Sequence, residues 1–346
     1  MLRLKPFKDI ASHLSSIKKE ILTASKPIVF FDDDCDGVSS FLQYYKFIGD
    51  GKGICVKGKP VVEARYSEKV DEFSPDLVLV FDKPLVEQDF FDSISQKKIW
   101  IDHHPIQDPK GVNYFNPGLY DSKDNTPTSY WIYNLTEKKY LWLAMIGCLG
   151  DWSLALKDEF IAKYPDLLED TTDPAHALFN SKIGLLVKII NFNLKGSTKD
   201  VMKSVKVLSR IESPYEILDK TTPKGKFIYK KFEKINRDYE ILKQSIVEDD
   251  SQFLVFIYDN SKLAISADLS NELLYMHKDK IIVVGRKNND KIVMSLRSAN
   301  KPISDALNKA LAGVDGFGGG HDLACGAVVA QSDFDSFLDV FKSYLN

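Results

Sequence analysis

Hydrophobic residues in the first half of the chain form short continuous runs that alternate with helical patterns. Three runs, KPIVFF (26–31), PDLVLVF (75–81) and KKIWI (97–101), are rich in β-branched and aromatic residues and predict buried strands. Helical periodicity follows the first run over about 38–47, and the apolar stretch YLWLAMIGCLG (140–150) also indicates a helix. Buried strands that alternate with helices are typical of a parallel sheet covered on both faces, so we expect an α/β fold.

In the second half of the chain, the pattern of hydrophobic residues changes twice. Residues 181–247 lack strand patterns and carry helical periodicity, which predicts a helical connector between a domain of residues 1–180 and a domain of residues 248–346. In the last domain, a glycine cluster separates predicted helices at about 303–312 and 334–344. Short β-rich runs precede these helices: FLVFIY (253–258), LAISA (263–267), KIIVVGR (280–286) and KIVMSLR (291–297). The C-terminal domain is therefore expected to be a smaller α/β domain.

Composition adds limits on function. The 346 residues are 44% hydrophobic and 27% charged, which is enough for two ordinary cores. The formal net charge of -3 does not favour broad electrostatic capture of duplex DNA, so any contact with nucleic acid should come from a local groove or from bound metal ions. No long apolar run or signal-peptide pattern occurs, which predicts a soluble, cytoplasmic protein without membrane association.

The four cysteines do not suggest a structural framework. They show neither a C-x-x-C pair nor regular spacing, which predicts reduced thiols rather than disulfides or zinc ligands. The residues concerned are Cys35, Cys55, Cys148 and Cys325.

Acidic residues follow the first predicted strand directly. The segment IVFFDDDCDGVSS places Asp32, Asp33, Asp34 and Asp36 between a strand and a helix. Ligands of open α/β sheets bind beyond the carboxyl ends of the strands, and crowded carboxylates repel one another unless cations lie between them. An acidic turn that caps the next helix is the alternative interpretation.

The next two strands also end in potential ligands. Asp82 follows the second strand, and the triplet Asp102, His103 and His104 follows the third. Asp151 ends an apolar helical run, where the helix dipole disfavours a negative charge. Carboxylates with one imidazole favour manganese or magnesium over zinc, and two such ions about 4 Å apart can activate water and neutralise charge on a phosphate. The sequence therefore predicts phosphoester hydrolysis.

Five segments in order resemble the motifs of the DHH phosphoesterase superfamily: FDDDCDG, FDKP, IDHHP, GCLGDW and FGGGHDLACGAVV. The last one is similar to the GGGH motif of the DHH-associated domain of the first type, so the resemblance covers essentially the whole chain. It implies an active site in the cleft between the two domains. It also implies a first ion bound by Asp34 and Asp82 with help from Asp32, and a second ion bound by Asp36, Asp82, His103 and Asp151, with Asp82 as the bridge.

The resemblance further implies where substrate binds. His104 would face the substrate phosphate, and Arg297 of the SLRS segment would bind phosphate on the opposite wall. The glycine cluster and its histidine would complete this wall: Gly318, Gly319, Gly320 and His321. From the residues alone, the glycine cluster could equally be a turn, and Arg297 could be a surface residue.

Two residues near the first motif depart from the family pattern. Asp33 stands where many RecJ-like proteins carry an aromatic residue, and Phe30 stands where relatives of the pyrophosphatase and nano-RNase types carry a ligand histidine. The ligand set of the first ion is therefore left open. Cys35 is interpreted as a spacer, because a thiolate among carboxylates is electrostatically disfavoured.

The form of the first motif favours the RecJ branch, which implies an exonuclease that degrades single-stranded DNA or RNA to mononucleotides in the 5′ to 3′ direction. A nano-RNase or cyclic-dinucleotide phosphodiesterase that cuts very short substrates is the alternative. A pyrophosphatase is disfavoured by the GGGH motif, and a scaffold protein of replication or repair complexes is the alternative from another class. The expected cofactors are two Mn2+ ions, for which Mg2+ or Co2+ could substitute, and a replication or repair protein is a possible partner.

Overall fold

The computed structural model describes residues 7–259 and 264–345 of the chain. Two compact units divide it, Met1–Phe232 and Glu233–Asn346, here called unit 1 and unit 2. The predicted division into a catalytic domain, a connector and a substrate-binding domain stays a prediction, as does the active-site cleft between domains. Within the described ranges, no helix is both long and apolar enough to cross a membrane.

A parallel sheet forms the centre of unit 1. The strands of this unit are β1 (Pro27–Asp32), β2 (Lys52–Val56), β3 (Val61–Val62), β4 (Leu77–Phe81), β5 (Leu85–Val86), β6 (Lys97–Ile101) and β7 (Asn113–Phe115). Five of them form one sheet in the order β2-β1-β4-β6-β7, and every neighbouring pair in it is parallel. The three strands predicted from the sequence are its central members, β1, β4 and β6. Strands β2 and β7, which the sequence analysis did not predict, are short edge strands.

Helices cover both faces of this sheet. The helices up to the unit boundary are α1 (Ile10–Thr23), α2 (Cys35–Ile48), α3 (Ser67–Phe73), α4 (Gln88–Asp92), α5 (Thr128–Leu135), α6 (Leu141–Gly150), α7 (Lys157–Lys163), α8 (Pro174–Asn180), α9 (Lys182–Asn193), α10 (Thr198–Leu208), α11 (Pro214–Leu218) and α12 (Pro223–Gln244), which contains the boundary. On one face, Phe30 and Trp100 pack with Phe90 and Phe91 of α4. On the other face, Phe31 stacks on Phe41 of α2. The predicted two-sided parallel sheet is confirmed.

Unit 2 contains a smaller mixed sheet. Its elements after α12 are β8 (Phe253–Tyr258), α13 (Ser266–Met276), β9 (Ile281–Asn288), β10 (Lys291–Arg297), α14 (Ser304–Leu311), β11 (Gly316–His321), β12 (Ala324–Ala330) and α15 (Phe334–Ser343). The strand order is β11-β12-β10-β9-β8, in which only the β8–β9 pair is parallel. Apolar residues of β9, β10 and β12 form a core with α14 and α15. The predicted smaller C-terminal α/β domain is confirmed.

Two sequence interpretations in unit 2 need correction. The run LAISA (263–267) was predicted as a strand, but α13 begins at Ser266, and residue 263 lies outside the described residues. Leu269 and Leu273, four residues apart, are buried on one side of α13, so helical packing overrides the short β-like alternation. The glycine cluster is part of strand β11 rather than a turn, since its backbone pairs with β12.

Candidate metal centre

The sheet register brings the predicted acidic positions to one edge. Phe31, Phe81 and Ile101 are neighbours across β1, β4 and β6, and each lies at or one residue before the end of its strand. The residues that follow, Asp82 and Asp102, therefore emerge side by side at the carboxyl edge of the sheet. This is the edge at which open α/β sheets bind ligands.

Four predicted ligands come together there. Oxygen or nitrogen atoms of Asp36, Asp82, His103 and Asp151 all lie within 4.8 Å of one another. The Nε2 atom of His103 lies 3.1 Å from Oδ2 of Asp151, 3.4 Å from Oδ1 of Asp82 and 3.9 Å from Oδ2 of Asp36. A second group of the same kind shares two residues with the first and adds His104.

Helix α5 holds Asp36 in place. The backbone N–H groups of Thr128 and Ser129, at the start of α5, donate to the two carboxylate oxygens of Asp36 at 2.7 and 2.8 Å. These donors are at the positive end of the helix dipole, which favours a carboxylate. Gly147 of α6 makes room for this contact, because a Cβ atom there would lie 2.9 Å from Oδ1 of Asp36 and closer still to the Ser129 hydroxyl.

Hydrogen bonds orient both histidines of the DHH triplet. The Nδ1 atom of His103 donates to the carbonyl oxygen of Asn125 at 3.0 Å, so Nε2 is the ring nitrogen that faces the carboxylates. His104 is held by the buried Asp102, whose carboxylate accepts from its Nδ1 atom at 2.8 Å and from its backbone N–H at 3.1 Å. The Nε2 atom of His104 is therefore the ring nitrogen left for another partner.

Burial and mutual repulsion disfavour negative charge in this cluster. Burial, followed by the charges of Asp36 and Asp34, raises the pKa of Asp82 well above its ordinary value. Burial, followed by the charges of Asp151 and Asp36, raises the pKa of Asp34 to about 7. Burial alone would lower the pKa of His103, but the neighbouring Asp151 and Asp36 carboxylates outweigh it and raise that pKa to about 10. A cation would relieve this repulsion and take the place of the bound protons.

Two buried atoms support the same conclusion. Among the described residues, Oδ2 of Asp82 accepts no hydrogen bond, and Nε2 of His103 makes none of good geometry despite the nearby Asp151 oxygen. Unsatisfied buried polar atoms are rare and call for an explanation such as an ion. Asp82 also adopts a left-handed backbone conformation with φ 59°, which is uncommon outside glycine and concentrates at functional sites. The donor set fits hard divalent ions such as Mn2+ or Mg2+.

Of the three consecutive aspartates at the end of β1, two form ion pairs with lysine and the third caps a helix. Asp32 forms an ion pair with Lys83 at 3.0 Å, and Asp33 forms one with Lys57 at 3.0 Å. Asp34 caps α2 by accepting from the backbone N–H of Gly37 at 2.9 Å. The capping interpretation from the sequence is thus correct for Asp34, and it does not exclude a ligand role for the second carboxylate oxygen.

In unit 2, the predicted phosphate-binding residues share one row of the sheet. His321 of β11 and Arg297 of β10 both pair with Ala324 of β12, from opposite sides. The Arg297 side chain is fixed rather than loose, since its guanidinium donates to Oδ1 of Asn271 at 2.7 Å and to two backbone carbonyl groups. His321 and the three glycines before it are exposed.

Sequence reasoning missed the residues that orient the site. These are Thr128 and Ser129 for Asp36, Asn125 for His103, Asp102 for His104, Lys83 for Asp32 and Asn271 for Arg297. A signal existed only for Asp102, which belongs to the triplet itself. The others act through tertiary contacts that no spacing in the sequence reveals. The cysteines are free and buried, as predicted.

Comparison with known proteins gives matches to both parts of the chain. Residues 250–346 match the family profile of the DHHA1 domain. The fold is similar to that of RecJ in complex with Mn2+ from Thermus thermophilus, with 18% identity and a TM-score of 0.70, over 99% of this chain and 55% of that one. It is also similar to an exonuclease RecJ bound to manganese, with 16% identity and a TM-score of 0.63, over 99% and 95% of the two chains.

A further similar structure is the pGpG-specific phosphodiesterase PggH from Vibrio cholerae, with 12% identity and a TM-score of 0.51, over 91% of this chain and 99% of that one. No curated protein sequence matches the chain. The chain spans about half the length of the Thermus RecJ chain. The predicted RecJ-like fold, with a DHHA1 domain at the C-terminus, is confirmed.

Proposed function

We propose that this protein is a metal-dependent phosphodiesterase of the DHH superfamily, and that its substrate is single-stranded nucleic acid. The cluster of Asp36, Asp82, His103 and Asp151 carries this proposal, because it combines hard ligands with unsatisfied buried atoms at the ligand-binding edge of the sheet. The RecJ-like fold and the DHHA1 domain support it.

We assign residues to two ions. Asp36, Asp82, His103 and Asp151 would hold one ion, and Asp34 and Asp82 would contribute to the other, with Asp82 shared. Similar RecJ structures are described with manganese and, for the Thermus protein, also with Mg2+, which supports a divalent ion of this kind; we propose Mn2+. Bound divalent ions would lower the pKa of an attacking water molecule and place positive charge opposite the phosphate.

The chain's own residues would then position the substrate. His104 has its Nδ1 atom fixed by Asp102, so Nε2 can donate to a phosphate oxygen as charge develops on it. Arg297, Gly318 to Gly320 and His321 would bind phosphate from unit 2. Asn271 holds the guanidinium of Arg297 at its Nε atom, which keeps the planar group in one orientation for phosphate recognition.

An exonuclease of the RecJ type that works in the 5′ to 3′ direction is the leading candidate, because both RecJ structures cover 99% of the chain. A nano-RNase or cyclic-dinucleotide phosphodiesterase is the second candidate. It is favoured by the likeness to PggH, which is described as specific for the dinucleotide pGpG and of which the chain covers 99%. A cytoplasmic location, a replication or repair partner and a scaffold role remain predictions.

The length of the strands that the protein cleaves distinguishes the exonuclease from the nano-RNase. The purified protein with Mn2+ would be incubated with end-labelled DNA and RNA strands of two to about thirty nucleotides. Stepwise shortening of long strands from the 5′ end would support the exonuclease. Cleavage confined to two to five nucleotides would support the nano-RNase, and no cleavage with any divalent ion would contradict the phosphodiesterase.

Two variants make this experiment specific to the proposed site. His103→Ala and Asp151→Asn should abolish turnover while leaving the fold intact. Among the described residues, the backbone carbonyl of Asn125, which accepts from His103, is the one hydrogen-bond partner that the side chain of either residue has outside the cluster. Asp36→Ala is a poorer choice, since it would leave the buried N–H groups of Thr128 and Ser129 without acceptors. Full activity of His103→Ala would contradict the site.

A further inference from the structure

Lys83 follows Asp82 directly, and its side chain is completely buried, with 0% of its surface exposed. Burial of an ammonium group costs several kcal/mol unless an opposite charge and hydrogen bonds compensate for it. A lysine in this position must therefore be compensated by specific partners, and those partners indicate its role.

Both ends of Lys83 are fixed. Its Nζ atom donates to Oδ1 of Asp32 at 3.0 Å and to the backbone carbonyl of Lys59 at 2.7 Å. Its own backbone carbonyl accepts from the indole N–H of the buried Trp100 at 3.1 Å. These bonds connect the ends of β1 and β4 to β6, which are the three central strands of the parallel sheet.

This arrangement has a consequence for Asp32. Its Oδ1 atom accepts from Lys83 and also from the backbone N–H of Asp33 at 2.7 Å, so a fixed positive charge lies against this oxygen. Burial and the charge of Asp34 raise the pKa of Asp32, and Lys83 opposes that rise. Asp33 has an equivalent partner in Lys57, whose Nζ atom also bonds the carbonyl of Leu194. By contrast, the ion pairs that Asp36, Asp82 and Asp151 make within the described part of the chain are all with histidine.

The arrangement also has a consequence for Asp82. A left-handed backbone at a residue with a side chain costs on the order of 1 to 3 kcal/mol and persists only where the surroundings enforce it. The backbone N–H of Asp82 donates to Ile101 at 2.9 Å, and the next residue is fixed by the three Lys83 bonds. Lys83 is thus part of what holds the strained Asp82 backbone.

We infer that Lys83 is a built-in cation of the metal centre: it neutralises Asp32, making this aspartate a positioning residue instead of a metal ligand, and it fixes the backbone of Asp82. The metal part of this inference rests on the proposed function. The ion pair and its effect on Asp82 do not, since they are argued from contacts within the chain alone. The first metal site would then be built from Asp34 and Asp82 without Asp32.

A double-mutant cycle on the full chain tests this inference through two readouts that do not require activity. The variants are Asp32→Asn, Lys83→Met and the double variant Asp32→Asn/Lys83→Met. The readouts are the free energy of unfolding of the protein stripped of metal and a calorimetric titration with MnCl2 alone. Lys83→Arg, which keeps the charge, serves as the conservative variant. Asp33→Asn/Lys57→Met serves as the control pair, because Lys57 bonds Asp33 and the carbonyl of Leu194 and is not adjacent to Asp82 in the chain.

Each single substitution should lower the free energy of unfolding, because each leaves one buried partner unpaired, and the double variant should recover part of the loss. Lys83→Met should weaken Mn2+ binding about tenfold or more, as expected for a residue that orients ligands. The double variant should still bind as many Mn2+ ions as the wild type. The control pair should change Mn2+ affinity less than Lys83→Met.

Three outcomes would overturn the inference. One is the loss of a bound ion in both Asp32→Asn and the double variant, which would make Asp32 a ligand. The second is strict additivity of the two substitutions in the metal-free protein. The third is unchanged Mn2+ affinity in a folded Lys83→Met variant. If the wild type bound no Mn2+, the proposed function would fail and the metal part with it, whereas non-additive unfolding energies would still support the ion pair.

Discussion

Gly147 is the residue whose small size matters most to the acidic cluster. A side chain at this position of α6 would collide with the Ser129 hydroxyl and approach Oδ1 of Asp36 to 2.9 Å. We expect Gly147→Ala to destabilise the fold by about 1–3 kcal/mol through overpacking and to weaken Mn2+ binding by displacing Asp36. Chemical unfolding and calorimetric titration measure the two effects.

Gly313→Ala is the matched control, because a Cβ atom there meets nothing within 4 Å and its backbone is not in the left-handed region. Its stability and Mn2+ affinity should match those of the wild type. A Gly147→Ala variant with wild-type Mn2+ affinity would show that the contact with Asp36 does not matter for the ion.

His13 should make the stability of the fold sensitive to pH. It is completely buried, with Nδ1 bonded to the hydroxyl of Tyr120 at 2.7 Å and Nε2 to Oδ1 of Asn113 at 2.8 Å. Burial lowers its pKa below the ordinary value of 6.5 because it disfavours the charged imidazole. As the pH falls through 6.5, the unfolded chain binds a proton that the folded chain does not, so the free energy of unfolding decreases.

The His13→Gln variant isolates this contribution. The difference in unfolding free energy between wild type and variant should decrease as the pH is lowered from about 7.5 to about 5.5, because only the wild type carries this imidazole. Urea titrations at several pH values measure it. A difference that stays constant over this range would mean that His13 keeps the same protonation in the folded and unfolded chain.

At the scale of the secondary-structure elements, strand β11 could not be recognised from the sequence. Its glycines have no side chains to provide a hydrophobic alternation, so the sequence indicated only a cluster, while pairing with β12 makes it a strand. The central strands β1, β4 and β6 were predictable because their apolar runs are buried on both faces. The edge strands β2 and β7 are only partly buried, and β7 has just three residues. They form because they pair with neighbouring strands, not because their own sequence pattern indicates a strand.

Substitutions at two glycines of β11 distinguish a role in the fold from a role in substrate binding. A Cβ atom on Gly318 would lie 2.6 Å from the carbonyl oxygen of Gly326, whereas one on Gly319 would meet nothing within 4 Å. We expect Gly318→Ala to destabilise unit 2 because it disturbs the β11–β12 pairing. Gly319→Ala should leave the stability unchanged and lower kcat/KM for the oligonucleotide, if a phosphate approaches the backbone there as proposed.

Thermal unfolding and steady-state kinetics on the same preparations measure both effects. A Gly319→Ala variant with wild-type kinetics would remove this glycine from the proposed substrate-binding residues. Equal stability of Gly318→Ala and Gly319→Ala would contradict the close backbone contact at Gly318.

At the scale of the whole molecule, the sequence predicted the candidate metal ligands better than the residues that hold them in position. Asp82, His103 and Asp151 could be predicted because each follows a recognisable apolar element, and Asp36 because it belongs to the acidic run after the first strand. The ends of parallel strands converge at one edge of the sheet. Lys83 could not, because nothing in FDKP distinguishes a solvated lysine from one buried between three strands. Asn125, which lies in a loop and orients His103, could not be predicted from the sequence pattern either.

Metal binding should stabilise the protein, because the candidate ligands come together only in the folded chain. All the acidic residues proposed to bind ions lie in unit 1, and without ions the pKa values of Asp34, Asp82 and Asp151 are raised by burial and mutual repulsion. Mn2+ binds only where the folded chain assembles these groups, so Mn2+ at a hundred times its dissociation constant should add about 2.7 kcal/mol per site. The stabilisation should show as a higher Tm that EDTA reverses.

Hydrogen exchange would locate the effect within the molecule. Mn2+ should slow exchange of the amides of Thr128 and Ser129, whose N–H groups hold Asp36, because opening of that segment would release the ion. Asp151→Asn should reduce both the Tm shift and the added protection, since it removes a ligand without removing the acceptors of these N–H groups. Protection that rises equally in Asp151→Asn and in the wild type would show that Mn2+ binds elsewhere, and the metal centre proposed for unit 1 would have to be abandoned.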